Sequence, residues 1–103
     1  MIVAAPPPPA RVQVVAREFS FVLSRQSIRA GAAIIELRNA GQDAHDLRMR
    51  RVGGTHVYSW PVTQPGGVTD EQVTLRPGRY LMYCSVANHR ALGMTATFVV
   101  RKP

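Results

Sequence analysis

Thiol is almost absent from this sequence. Cys84 is the single cysteine among 103 residues, which excludes an internal disulfide framework, paired-cysteine zinc ribbons and cysteine-ligated iron–sulfur clusters. Lysine is as scarce, since Lys102 is the only one, and acidic residues number six against thirteen basic ones. The resulting net charge of +7 is nearly all arginine and favours an acidic partner or an anionic surface. No apolar run approaches the ~18–20 residues that cross a bilayer, so no transmembrane helix is expected. Met1-Ile2-Val3-Ala4-Ala5 lacks the basic start and long apolar stretch of a secretory signal. There is also no long segment of 3.6-residue periodicity, which speaks against a helical fold. With 46% hydrophobic and 18% charged residues the chain is a folded globular domain. Its length leaves no room for a second catalytic domain.

Short β-branched and aromatic stretches, broken by Gly, Pro and Asn, make up most of the chain. Pro6–Pro9 holds an extended polyproline spacer, so residues 1–10 read as a flexible Pro-rich tail and residues 11–103 as one domain. Strands are predicted at Val12–Ala16, Glu18–Leu23, Ser27–Arg29, Ala33–Arg38, Asp46–Arg51, Gln72–Leu75, Arg79–Cys84 and Thr95–Arg101. In the segment from Arg79, Tyr80, Met82 and Cys84 share one face while Leu81 and Tyr83 share the other. About eight such strands suit an all-β, two-sheet Greek-key sandwich. Gly53–Asp70 is poor in pattern and reads as a long connecting excursion. Trp60, Phe19, Phe21 and Phe98 are expected in the core, as are Met49 and Met82.

The segment from Tyr83 to Met94 carries the chemistry. It holds Cys84, His89 and Met94 as C-x4-H-x4-M between two predicted strands, three residue types that all bind metal. His45, at the start of a strand after the turn-prone Asn39–Ala44, is a fourth potential ligand. Two imidazoles and one thiolate with a weak thioether are the donor set of a blue-copper electron-transfer centre. Zinc is less suited, because a thioether adds little for Zn²⁺. His56 lies in the patternless excursion and is left out of the site. Arg48, Arg50 and Arg51 lack an aromatic stacking platform and read as a solvated face, so no nucleic-acid partner is expected. Ser85, His45 and Asp46 lack the nucleophile elbow of a hydrolase.

These motifs, N-x-G-x-x-x-H-D at Asn39–Asp46 and Y-C-x4-H-x4-M at Tyr83–Met94, resemble those of the cupredoxin family of small blue copper proteins, over most of Arg11–Arg101. The Cys-to-His step is longer than in plastocyanin and the His-to-Met step longer than in azurin, more like rusticyanin and sulfocyanin loops. By position, the resemblance implies one type 1 copper ion with His45, Cys84 and His89 in its equatorial plane and Met94 axial. It places Asp46 where it ties the His45 loop to Ser85, with Asn39 nearby and the Ala44 carbonyl facing the copper opposite Met94. A backbone N–H from the Asp46 region is expected to point at the Cys84 sulfur.

The same resemblance implies a non-enzymatic one-electron carrier cycling between Cu(I) and Cu(II). It docks a redox protein beside His89, which is expected near the surface at one end of the sandwich, through an apolar rim of Val86, Ala87, Ala91 and Leu92. The positive charge favours an acidic partner, a cytochrome or another copper protein or oxidoreductase. A periplasmic or extracytoplasmic location, a monomeric state and a membrane tether through a segment upstream of the proline spacer complete the expectation. Two alternatives stand beside it: a module for copper buffering or delivery, and an electron-transfer domain of a larger copper enzyme. A dinuclear copper centre is excluded, because it needs two bridging cysteines.

Overall fold

The computed structural model describes residues 5–103, so the part of the predicted tail at residues 1–4 lies outside the described residues. Nine strands form among the described residues: β1 (Ala10–Arg17), β2 (Ser20–Leu23), β3 (Ser27–Arg29), β4 (Gly31–Asn39), β5 (His45–Arg51), β6 (Val57–Thr63), β7 (Val68–Leu75), β8 (Gly78–Tyr83) and β9 (Thr95–Arg101). No helix forms among the described residues.

Period-two alternation builds these strands, because one face of each must be buried. β1 buries Val12, Val14 and Ala16, β8 buries Tyr80 and Met82, and β9 buries Phe98 and Val100. One sheet has the order β2-β1-β4-β7 and the other β3-β9-β8-β5-β6. β1 runs parallel to β4 and β3 parallel to β9, and the remaining pairs are antiparallel. The core lies between the sheets, and Trp60, Phe98, Ile35, Leu37, Leu47 and Met49 are all but inaccessible within it. The fold is the all-β sandwich that the alternation predicts.

The excursion read at Gly53–Asp70 is corrected: it contains β6 and the first residues of β7. Both are edge strands, where the sequence signal is weakest. Pro61 sits within β6 because an edge strand can spare a ladder N–H. β7 is largely exposed and so carries little apolar alternation. Other boundaries move as well. β2 begins at Ser20, leaving Glu18 and Phe19 in the β1–β2 turn, and β8 ends at Tyr83, so that Cys84 follows the strand.

Strand register decides what meets at one end of the sandwich. Ala16 is level with Asn39, His45 with Thr63, and Tyr83 with Thr95. The β1–β2 turn, the β4–β5 loop and the β8–β9 loop therefore share that end.

Candidate metal centre

Asn39 organises the β4–β5 loop. Its Nδ2 donates to the carbonyls of Asp43 and Thr63, each at 2.8 Å, while its Oδ1 accepts the Gly41 N–H at 2.9 Å. These bonds brace the turn that delivers His45 to β5, although Asn39 itself touches no donor atom of the cluster described below. Ala44 is half-buried just before His45. A bulge between His45 and Leu47 interrupts the pairing with β6. His45, Asp46 and Leu47 are consequently buried in succession, which regular alternation does not allow.

The β8–β9 loop closes on itself. The Cys84 N–H donates to the Met94 carbonyl at 3.2 Å, and the N–H groups of Leu92 and Met94 both reach the His89 carbonyl at 3.1 Å. Arg90 stacks on the Tyr83 ring at 4.1 Å. Ala87 adopts a left-handed φ of 46° and Gly93 one of 107°, so the loop turns sharply on both sides of His89. Asp46 joins this loop to β5: its Oδ1 accepts the Ser85 N–H at 2.6 Å, and its Oδ2 accepts the Ser85 hydroxyl.

His45, Cys84 and His89, all buried, bring one donor atom each to within 4.8 Å of one another. The Cys84 Sγ lies 3.6 Å from His89 Nδ1 and 4.0 Å from His45 Nδ1. Met94 is fully buried at the mouth of β9. Ala87, Ala91 and Leu92 are exposed around His89 and Val86 is half-buried. Met49 and Met82 belong to the core, and His56 is exposed against Tyr58, away from the cluster.

Burial pushes the Cys84 thiol above its ordinary pKa, and N–H groups of Asp46 and Val86 oppose it. Burial also lowers the pKa of His45, opposed by the charge of Glu18. Both directions favour the neutral forms in the metal-free protein. Binding of a cation therefore expels the thiol proton.

Three residues to which the sequence assigned no part in the site stand beside its histidines. Phe19 is half-buried against the core, with its ring 4.9 Å from that of His89. The Asp43 carboxylate lies 3.5 Å from His89 Nε2. Together they leave His89 only 6% exposed. Glu18 lies 3.5 Å from His45 Nε2. Asp43, two residues before a candidate ligand, was open to suspicion; Glu18 and Phe19 sit in a turn with no motif.

The residues fit a single metal ion. First-row ions hold nitrogen and sulfur donors at ~2.0–2.3 Å, so donors around one ion stand roughly 3.3–4 Å apart. The two sulfur–nitrogen separations fall in that range. One soft sulfur and two imidazoles, on loops that also carry the buried Met94, match copper better than a hard cation.

No protein-family model matches the chain, and no curated protein matches it by sequence. Solved structures do match it. Auracyanin from the photosynthetic bacterium Roseiflexus castenholzii superposes with a TM-score of 0.73 at 15% identity, over 88% of this chain and 96% of that one. Auracyanin A from Chloroflexus aurantiacus, described as a "blue" copper protein, gives 0.74 at 17% identity, over 91% and 100%. A copper-containing nitrite reductase from Thermus scotoductus gives 0.69 at 18% identity, over 92% of this chain but only 28% of that enzyme. The chain thus shares the cupredoxin fold of the auracyanins, with a buried His–Cys–His cluster where its loops meet.

Proposed function

We propose that this chain is a one-electron carrier with a mononuclear type 1 copper centre, which His45, Cys84, His89 and Met94 would hold. The observation that carries this reading is the convergence of a buried thiol and two buried imidazole Nδ1 atoms at the loop end of the sandwich. Bound copper supplies a couple between Cu(I), which the sulfur donors favour, and Cu(II), which imidazole serves. The chain's own part is to hold the donors still. Asn39 braces one loop, Met94 closes the other, and Asp46 ties them together, so that neither loop needs to rearrange when charge changes. The N–H groups of Asp46 and Val86 draw charge from the Cys84 sulfur and tune the potential.

Ala87, Ala91, Leu92 and the half-buried Val86 form an apolar rim at the His89 end, suited to brief contact with an acidic redox protein. An extracytoplasmic location and a monomeric carrier go with this reading, as does a flexible proline-rich tail that tethers the domain. The likeness to part of a nitrite reductase supports a second reading, an electron-transfer domain of a larger copper enzyme. A carrier reacts with a separate redox protein, whereas an enzyme domain passes its electron within one assembly.

Visible absorption and electron paramagnetic resonance of the Cu(II)-loaded protein, beside Cys84→Ser, test the centre. An intense thiolate-to-copper band with narrow hyperfine splitting, lost in Cys84→Ser, is expected. An ordinary Cu(II) spectrum that the substitution leaves unchanged overturns the proposal. A poorly reversible couple with rapid metal exchange points instead to copper buffering or delivery.

A further inference from the structure

Each candidate histidine ligand turns Nδ1 toward Cys84 and Nε2 toward a carboxylate. The two carboxylates are held differently. Asp43 is half-exposed at the rim. Glu18 comes from the β1–β2 turn, 27 residues from His45 in sequence, and its Oε1 accepts the Gln42 N–H at 2.5 Å and also the Asp43 N–H. Both donors belong to the loop that delivers His45. A Cβ at Gly41 would meet the Glu18 carboxylate, with Oε1 only 2.7 Å away, so the glycine leaves the space that this carboxylate occupies. The same Oε1 stands 3.5 Å from His45 Nε2, a fully buried atom with no hydrogen-bond partner. At that distance it is the acceptor nearest to completing the ring's second interaction once the ring settles on a metal.

We infer that Glu18 is a positioning residue for the metal centre. Its carboxylate, anchored on the N–H groups of Gln42 and Asp43, accepts a hydrogen bond from His45 Nε2–H, leaves Nδ1 free to ligate, and lowers the reduction potential by adding a fixed negative charge behind the ligand. A carboxylate acceptor behind a ligating histidine fixes its tautomer and raises its basicity. The inference rests on the copper reading for the potential but not for the tautomer. Register explains how so distant a residue reaches the site, because Ala16 is level with Asn39 and the turn after β1 then overhangs the loop after β4.

Two variants separate hydrogen bond from charge. Glu18→Gln keeps an oxygen acceptor and removes the charge, while Gly41→Ala keeps the charge and displaces the carboxylate. In the metal-free protein, imidazole ¹⁵N resonances report the His45 tautomer. The proton is expected on Nε2 in the wild type and in Glu18→Gln, and distributed over both nitrogens in Gly41→Ala. In the copper protein, redox titration of Glu18→Gln is expected to show the Cu(II)/Cu(I) equilibrium shifted about tenfold toward Cu(I), ~59 mV for a one-electron couple. A wild-type tautomer in Gly41→Ala together with a wild-type potential in Glu18→Gln overturns the inference. If the wild-type protein forms no blue centre, the copper reading fails, and the tautomer measurement still decides whether Glu18 directs His45.

Discussion

Asp46 shows how much one side chain contributes to this site. Its carboxylate is buried and satisfied by both hydrogen-bonding groups of Ser85, whereas Arg48, at 3.7 Å and largely in solvent, adds little. The pair joins the strand that bears His45 to the loop that bears Cys84 and His89. Asp46→Ala leaves the Ser85 N–H without its acceptor and is expected to destabilise the metal-free protein by about 1–2 kcal/mol. Urea unfolding measures this, and an unchanged midpoint would show that the two loops are held together by other contacts. The motif around His45 made Asp46 legible in the sequence, since a polar residue beside a candidate ligand invites a bracing role. Glu18 was not legible, because only the sheet register brings its turn over Gly41.

The two edge strands carry the lesson at the level of elements. β6 borders the sheet that holds β5 and β8, so it flanks the strand from which His45 projects. Its anchor is Trp60, which is 1% exposed and whose Nε1 donates to the Ile35 carbonyl of the opposite sheet at 2.9 Å. That bond crosses the sandwich beneath the site. Trp60→Phe removes the donor and part of the volume, and a loss of about 2–3 kcal/mol is expected. It should appear as a lower denaturant midpoint with an unchanged slope; a midpoint within error of the wild type would mean that the core closes without this bridge. Sequence patterning placed Trp60 in the core yet missed the strand around it. A single large side chain advertises burial by itself, whereas an edge strand interrupted by Pro61 has too few buried positions to show a period.

Charge and apolar surface divide the recognition problem across the whole molecule. Arg48 and Arg90 stand toward the metal end, level with or stacked on Tyr83. Arg29 and Arg101 are level with each other at the finish of β3 and β9, and β9 starts at the metal end and runs away from it. With cationic groups at both ends, the net charge of +7 does not by itself single out a docking face, and under the proposed function that choice falls to the apolar rim. Leu92, 49% exposed, is the largest side chain of that rim. Leu92→Asp is expected to slow electron transfer with the natural partner at every salt concentration and to leave the copper spectrum intact. Added salt should slow the wild type by a larger factor than the variant, because the new carboxylate weakens the long-range attraction that screening removes. Stopped-flow rates across ionic strength decide it, and an unaltered rate for Leu92→Asp removes the rim from the docking surface.

The sequence by itself determined the all-β class, most of the inward-facing residues and the chemistry of the cluster. Period-two alternation and the spacing of Cys84, His89 and Met94 are local properties, written within a few residues of one another. Tertiary structure alone decided that Phe19 and Asp43 cover His89 and that Glu18 stands behind His45. Those contacts depend on strand register and on a bulge in β5, and register follows from which buried faces pack against each other across the sandwich. The donors announce themselves in the sequence; the groups that hold and tune them emerge only when the loops are brought to one end.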